Sequence, residues 1–536
     1  MSQIRQKCRL GGLERRGLLF VRMLASIEEG LEEDVERPDS AMQRLNIADS
    51  KKRTLPEFVG GHGPWQFRQW LIFFVASICN SLYLFSTFPL SARVDCKCGS
   101  ILNSSSLEMS FINSVTNCTV PNCDTELVKM HNLEANISCA NSYQKFINID
   151  QDSVHCSYMK LVIYAKCIYM LGILLSGVSS HLLAFKFGRR GVAFVSGVLL
   201  VCCSFGIGVS GSLANFLVMR LIISLTATNI YLVSIYSLIE FVGEEYRMLY
   251  GLTGHLGWGL SHFILPLIVW LTHDWMTYSV VISCTSVPLI IISFFIPESV
   301  EASIAKGLKA HSQKLIRIAA WKNGYSTDDI EEFTQALGHK DKQEEMKTVW
   351  KKGKIKRAFE LTLLYLVGFS ASFLYFTSLG LTDWMTRDRG GYFALAGTTE
   401  IAAVIILLFF MCFFSPKTLW SAATVLASVS FLIMYARSEH EFVHISTGSF
   451  LLATFFSSLS WTVVLLSMLF QPVTTTVTKC NVFISAVAIC SGTLIASFND
   501  FQKFHSWNPK FFVIYAIPNL TIGASIAILP ERYFKF

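Results

Sequence analysis

Apolar residues in this chain come in blocks of about twenty, separated by short polar or charged turns. Twelve such blocks can be marked, near 68–90, 158–183, 191–212, 214–238, 248–271, 276–296, 358–381, 391–413, 418–436, 443–469, 480–498 and 511–529. A bilayer core about 30 Å thick is crossed by roughly 20 apolar residues in a helix, so the pattern predicts twelve transmembrane helices and an all-α polytopic membrane protein. Gly172, Gly177, Pro266, Pro288 and Gly492 fall inside the blocks. Membrane helices tolerate such residues because neighbouring helices satisfy the freed backbone groups. Composition agrees: 52% of the 536 residues are hydrophobic and 15% charged, against about 25% charged in an ordinary soluble domain.

Lys and Arg collect on one side of the predicted spans. The turn after the second block holds Lys186, Arg189 and Arg190, and the segment after the sixth runs through Lys306, Lys309, Lys314, Arg317 and Lys322 to Lys356 and Arg357. By the positive-inside rule both face the cytoplasm, and an even number of spans then puts both termini there. The net charge of +7 follows from this topology and gives no reason to expect a nucleic-acid partner. GLLFVRMLAS (Gly17–Ser26) is too short for a span and too poorly flanked for a cleavable signal. The expected organisation is therefore a cytoplasmic tail over 1–66, a six-helix half over 67–296, a cytoplasmic linker over 297–357 and a second six-helix half over 358–536. Residues 91–157 form a large extracellular loop within the first half.

Cysteines divide by compartment. Six of the fifteen, Cys96, Cys98, Cys118, Cys123, Cys139 and Cys156, lie in the outer loop, beside the Asn-x-Ser/Thr acceptors Asn103, Asn117 and Asn136. An even set in an oxidising compartment points to disulfides whose connectivity stays open. Zinc on Cys96 and Cys98 with His131 and His155 is the lesser reading, because the spacing is irregular; no metal or other cofactor is expected.

The halves repeat. Span six ends in FFIPES (Phe294–Ser299) and span twelve in AILPER (Ala527–Arg532); EFVGEEYR (Glu240–Arg247) corresponds to LFQPVTTT (Leu469–Thr476), and FKFGRR (Phe185–Arg190) to CFFSPK (Cys412–Lys417). The second copy keeps the turns and loses the charges. Two halves around a central cytoplasmic loop are the sequence form of a transporter that rocks about a midplane site. GxSxG, HExxH and glycine-rich phosphate loops are missing, so no enzyme is indicated.

Taken together, FVGGHGPWQ (Phe58–Gln66), the cysteine-rich loop, AKCIYMLGILLSG (Ala165–Gly177), FGRR, FLVMR (Phe216–Arg220), EFVGEEYR and IPES resemble the organic cation/anion/zwitterion transporters of the major facilitator superfamily, solute carrier family 22. The likeness covers most of residues 55–532. It implies a carrier of small organic ions working by alternating access, monomeric in the lipid of the plasma membrane. The alternative is a non-transporting receptor or scaffold with the same fold. Departures from the family pattern cluster in the loops: the acid before Gly-Arg-Arg is Phe185, the second-half loops lack their acids and arginines, and Val300, Glu301 and Ala302 follow IPES in place of Arg-Trp-Leu.

In this family the loop charges act as gates, which assigns Arg189, Arg190, Glu240 and Arg247 to gating. With Phe185 in place of the acid, Glu240 is expected to pair with Arg247, Arg190 being the other candidate. The plainer reading of Arg189 and Arg190 is that they fix topology at the lipid headgroups.

Ionisable residues inside a membrane mark function by default, and the candidates here are Lys166, Arg220 and Glu400. Arg220 is a structural charge in the family. Glu400 stands where family members place a cavity acid, and Lys166 replaces a Gln. Lys166 can equally snorkel to the outer interface. By the same resemblance Trp258, Tyr375 and Phe376 face the cavity, with Tyr83, Tyr169 and Trp461 as further candidates. Rings hold amphipathic ions through apolar area and, for cations, an attraction of about 0.5–2 kcal/mol. The candidate substrate site is thus Lys166, Tyr169, Trp258, Tyr375, Phe376 and Glu400.

The outer loop yields a first prediction. Enzymatic deglycosylation of surface-expressed protein should increase its gel mobility, and replacing all three of Asn103, Asn117 and Asn136 by Gln should abolish that change.

Overall fold

The computed structural model describes residues 54–87, 96–98, 137–139, 154–210, 212–272, 274–327, 329–335, 354–380, 389–411, 413–438, 443–469, 487–496 and 510–528. A short helix α1 (Leu55–Val59) leads into α2 (Pro64–Phe85), and two strands β1 (Cys96–Cys98) and β2 (Ile137–Cys139) follow. Next come α3 (Val154–Phe187), α4 (Arg189–Gly208), α5 (Leu213–Phe241), α6 (Glu244–Leu271) and α7 (Trp275–Ser293), then the short α8 (Val300–Ala305) and α9 (Lys309–Lys322). The second half holds α10 (Lys354–Gly380), α11 (Arg389–Phe410), α12 (Pro416–Ser438), α13 (Val443–Leu469), α14 (Val487–Ala496) and α15 (Lys510–Ile528). Each of the twelve apolar blocks has its helix. Among the described residues nine helices are long and apolar enough to cross a membrane, and shorter apolar stretches at Tyr164–Gly177, Val487–Ala496 and Ala516–Ala527 stand at the other three blocks.

Local chemistry sets the helix boundaries. Ser212, Asp274 and Ser299 cap α5, α7 and α8 by accepting from the amides of Asn215, Thr277 and Ala302, which satisfies donors that a helix start leaves unpaired. α3 and α4 are parted at Gly188, whose φ of 87° is a left-handed conformation that side chains disfavour.

The bundle is apolar outside and hydroxyl-rich inside. Leu182, Trp270 and Phe409 are exposed, as a lipid-facing surface requires. Inside the first half, Ser81 meets Ser261 at 2.5 Å, Ser176 donates to Asn229 at 2.7 Å, and Tyr83 bonds Ser204 and Ser286. Ser378–Ser457 and Thr424–Ser460 repeat the theme in the second half. Without water between helices, close packing of small residues and interhelical hydrogen bonds hold the helices together. The halves meet where α6 packs on α11 and, less extensively, on α13, and Cys490 of α14 donates to the Met170 carbonyl of α3 at 3.4 Å.

The polar segment before α2 is partly built into the fold. Leu55, Phe58, Val59 and Trp65 pack with Phe241, Val300, Leu315, Ile316 and Phe333, so α1, α8 and α9 form a collar at one end of the first half. Asn323 ties it: its amide donates to the Val59 carbonyl at 3.0 Å and to Gln66 Oε1 at 2.8 Å, while its oxygen accepts from the Trp65 amide. His62 stacks on Tyr246 and lies 2.7 Å from Tyr250 Oη; burial pushes its imidazole below the usual value, so the ring is neutral there.

The charged turns at this end differ from the expected pairing. Glu240 pairs with Arg189, not with Arg247 or Arg190, and its other oxygen accepts from Ser299 Oγ at 3.0 Å and the Glu301 amide at 3.1 Å. Arg247 instead donates through Nε to the Val242 carbonyl at 3.4 Å. Glu298, from the IPES motif, accepts from the amides of Arg189 at 2.6 Å and Arg190 at 3.1 Å. It thereby places a carboxylate on the positive end of α4. Phe185 is exposed, with the Lys306 ammonium 5.1 Å above its ring. These contacts all lie in the first half and α8, so they clasp α4, α5 and α8 together. Of the outer-loop residues, Cys118, Cys123, Asn103, Asn117 and Asn136 lie outside the described residues. Cys96 is the register partner of Cys139 in the antiparallel β1–β2 pair, at a cross-strand Cα spacing of about 4.5–5.5 Å that a disulfide spans.

Two predictions follow from these contacts. Arg189→Ala leaves the largely buried Glu240 carboxylate without its cation and should cost on the order of 2–3 kcal/mol, seen as a lower thermal midpoint of the purified protein; Arg247→Ala should cost markedly less. At the α6–α11 crossing a Cβ on Gly397 would come within 2.7 Å of His262 Cβ and 3.2 Å of the Gly259 carbonyl. Gly397→Leu should therefore lower the midpoint by a similar amount, whereas Gly448→Ala, which meets nothing within 4 Å, should leave it in place.

Candidate binding site at the junction of the halves

Glu400 lies midway along α11, and its residue is 1% exposed. Its carboxylate accepts from Tyr375 Oη of α10 at 3.0 and 3.3 Å, and Tyr375 Oη in turn accepts from Trp258 Nε1 of α6 at 2.8 Å. A donor chain thus runs from an indole in the first half through a phenol to a carboxylate in the second. Two fully buried histidines of α6 flank the acid, His255 with Nε2 at 3.7 Å and His262 with Nδ1 at 3.6 Å. These separations exceed hydrogen-bonding distance but are close enough for strong electrostatic coupling in a dry interior.

Rings complete the enclosure. Tyr375 stacks on Trp461 of α13 with centroids 5.2 Å apart and planes 9° apart, and Phe376 meets both rings edge-on. Trp258 lies 6.4 Å from Trp461 across the junction. Phe85, at the end of α2, contacts Trp258, His262, Phe376 and Phe393, and His262 stacks on Phe393 at 4.7 Å. Toward the collar end, Tyr250, Leu252, Leu364, Ala403 and Leu407 belong to a second apolar cluster that joins both halves. The carboxylate is thereby closed off on both sides.

Of the residues expected from the sequence, Trp258, Tyr375, Phe376 and Glu400 converge here, and Trp461 joins them. Tyr169 does not: its ring lies 4.5 Å from the Arg220 guanidinium, which bonds Ser86 Oγ and the Leu84 carbonyl. Lys166 is half-buried on α3 and makes no ion pair among the described residues. Tyr83 is occupied with Ser204 and Ser286 in the core of the first half. The reading from sequence missed His255, His262, Phe85 and Phe393. The signal for the histidines was present: in HLGWGLSH, His255, Trp258 and His262 fall at i, i+3 and i+7, one face of a helix.

The model of the family "Sugar (and other) transporter" matches residues 109–531. An organic cation transporter protein of Drosophila melanogaster is 23% identical over 407 residues, 73% of this chain and 73% of that protein. Organic anion transporter 3 of Sus scrofa is 25% identical over 182 residues, 33% of this chain and 34% of that protein. Among solved structures, the xylose transporter XylE of E. coli in a partially occluded inward-open conformation aligns with a TM-score of 0.60 over 87% of this chain and 98% of its own, at 12% identity. The twelve-block helical architecture, the repeated halves and the family match agree: the chain belongs to the sugar (and other) transporter family and is a multi-pass membrane transporter of small organic substrates, not an enzyme.

Proposed function

We propose that this protein carries small organic cations across the plasma membrane by alternating access, with Glu400 as the charge that selects them. The observation behind this reading is the carboxylate itself, buried at the junction of the halves among Trp258, Tyr375, Phe376 and Trp461, with no Lys or Arg in ion-pair distance among the described residues. Relatives named for organic cations and for organic anions both exist, and the acid favours the former. A cation entering between the halves meets a carboxylate for its charge and ring faces for its apolar body. The halves then close around it at the α6–α11 crossing.

Lys166 and Tyr169 belong to the approach to the site in this reading, on the side where Arg220 and Ser86 lie. Arg189, Arg190, Glu240 and Arg247 keep the cytoplasmic end of the first half rigid, so that it moves as one body. Both termini are cytoplasmic, 91–157 is extracellular with Cys96 bonded to Cys139, and the carrier acts as a monomer in lipid.

Uptake by cells expressing the full chain tests this. Tetraethylammonium and N-methylpyridinium should accumulate, and benzoate should not. Glu400→Gln removes an attraction that the dry interior strengthens and should lower cation uptake at least about tenfold, equivalent to about 1.4 kcal/mol, with surface level unchanged. Trp258→Ala and Tyr375→Phe should weaken uptake less. Absence of cation uptake by protein at the surface would leave the receptor or scaffold reading in its place.

A further inference from the structure

A carboxylate closed off between two halves needs a counter-charge in every state that crosses the membrane, including the return without substrate. In the closed structure no Lys or Arg lies within ion-pair distance of Glu400 among the described residues, and the groups that face it can be enumerated. From α10 comes Tyr375, a hydrogen-bond donor; from α6 come His255 and His262; α13 brings the Trp461 ring; α2 brings Phe85. The carboxylate itself and the two imidazoles are the bases available.

Their hydrogen bonding leaves room for a proton. His262 Nδ1 lies 3.1 Å from the Trp258 carbonyl, which only accepts. Nδ1 therefore carries the hydrogen of the neutral ring, and the lone pair is on Nε2. His262 Nε2 has no partner among the described residues, and neither nitrogen of His255 has one. Buried imidazole nitrogens without partners are uncommon, because each costs desolvation free energy. The His262 ring lies 4.9 Å from that of Phe85 and 4.7 Å from that of Phe393, while His255 lies against the Trp258 ring at 5.7 Å. Aromatic faces stabilise a cation placed there, and they are the faces offered to an organic cation.

We propose that the His255–Glu400–His262 cluster is a proton site, and that the transporter exchanges one organic cation for one proton. This rests on the cation-binding reading above. A bound cation neutralises Glu400 and makes the added proton on the histidines unfavourable, so the two ligands exclude each other. With the site open to the cytoplasm, the cation leaves and a proton takes its place. The protonated cluster closes and reopens outward, the proton leaves to that side, and the next cation binds. One positive charge crosses in each direction per cycle, no covalent bond other than that to the proton changes, and no oxidant or reductant is involved.

The test uses the full-length protein in liposomes, a lumenal pH-sensitive dye and radiolabelled N-methylpyridinium, whose charge does not vary with pH. With the outside near neutrality, a lumen at about pH 5.5 should speed uptake several-fold over a neutral lumen, and adding the cation should alkalinise the lumen. The paired substitution His255→Gln and His262→Gln should lower net uptake several-fold and remove its acceleration by an acid lumen, because the empty carrier then returns without its counter-charge. Size-exclusion and thermal midpoint of the purified variant confirm that it is folded, and the wild-type measurement decides the question even if it is not. Uptake without alkalinisation and independent of lumenal pH would overturn proton exchange and leave the cation carrier standing. No uptake by wild-type liposomes would overturn both. Full coupling in a folded double variant would remove the histidines from the assignment.

Discussion

The structure turns on a carboxylate held away from water at the seam between two bodies that must separate. An ionised acid in a membrane interior is expensive unless something compensates it, and at Glu400 the compensation comes from both halves: Tyr375 from its own side, and Trp258, His255 and His262 from the other. The cost and its relief are therefore tied to whether the halves are closed. The close approach of α6 and α11 at Gly259 and Gly397 belongs to the same arrangement, since bulkier residues there would hold the histidines away from the acid.

At the other end, the chain replaces a lost acid with a different one. Phe185 cannot cap or pair, yet the amides at the start of α4 still receive a carboxylate, from Glu298, and Arg189 finds Glu240. Gly188 makes this possible: any Cβ there would come within 2.8 Å of Glu298 Oε1, and its φ is left-handed. The departure at Phe185 is thus accommodated within the first half. The corresponding loops of the second half lack such charges, and there Lys417 donates to the Ala527 carbonyl.

How much of this was legible in the sequence depended on the length scale of the cause. The helices were legible because a bilayer imposes a run of about twenty apolar residues on each, and Gly and Pro inside the runs did not mislead. Glu400 was legible as a charge in an apolar block, and Trp258, Tyr375 and Phe376 through family resemblance. The histidines were passed over because attention went to residues charged at neutral pH, although their spacing put them on the Trp258 face. Glu240 was matched to Arg247, its near neighbour in sequence, when its partner came from another helix; no local pattern encodes that choice. The collar was hidden for the same reason, since Asn323 reaches Val59 and Gln66 across more than 250 positions.

The indoles of Trp258 and Trp461 stand 6.4 Å apart on opposite halves, one hydrogen-bonded to a phenol and the other stacked on it. Tryptophan emission responds to neighbouring dipoles, to water and to ring contacts. Opening the seam on either side changes all three at once for both rings. The molecule therefore carries a built-in optical gauge of its own conformational cycle, located at the junction of the halves and requiring no added label.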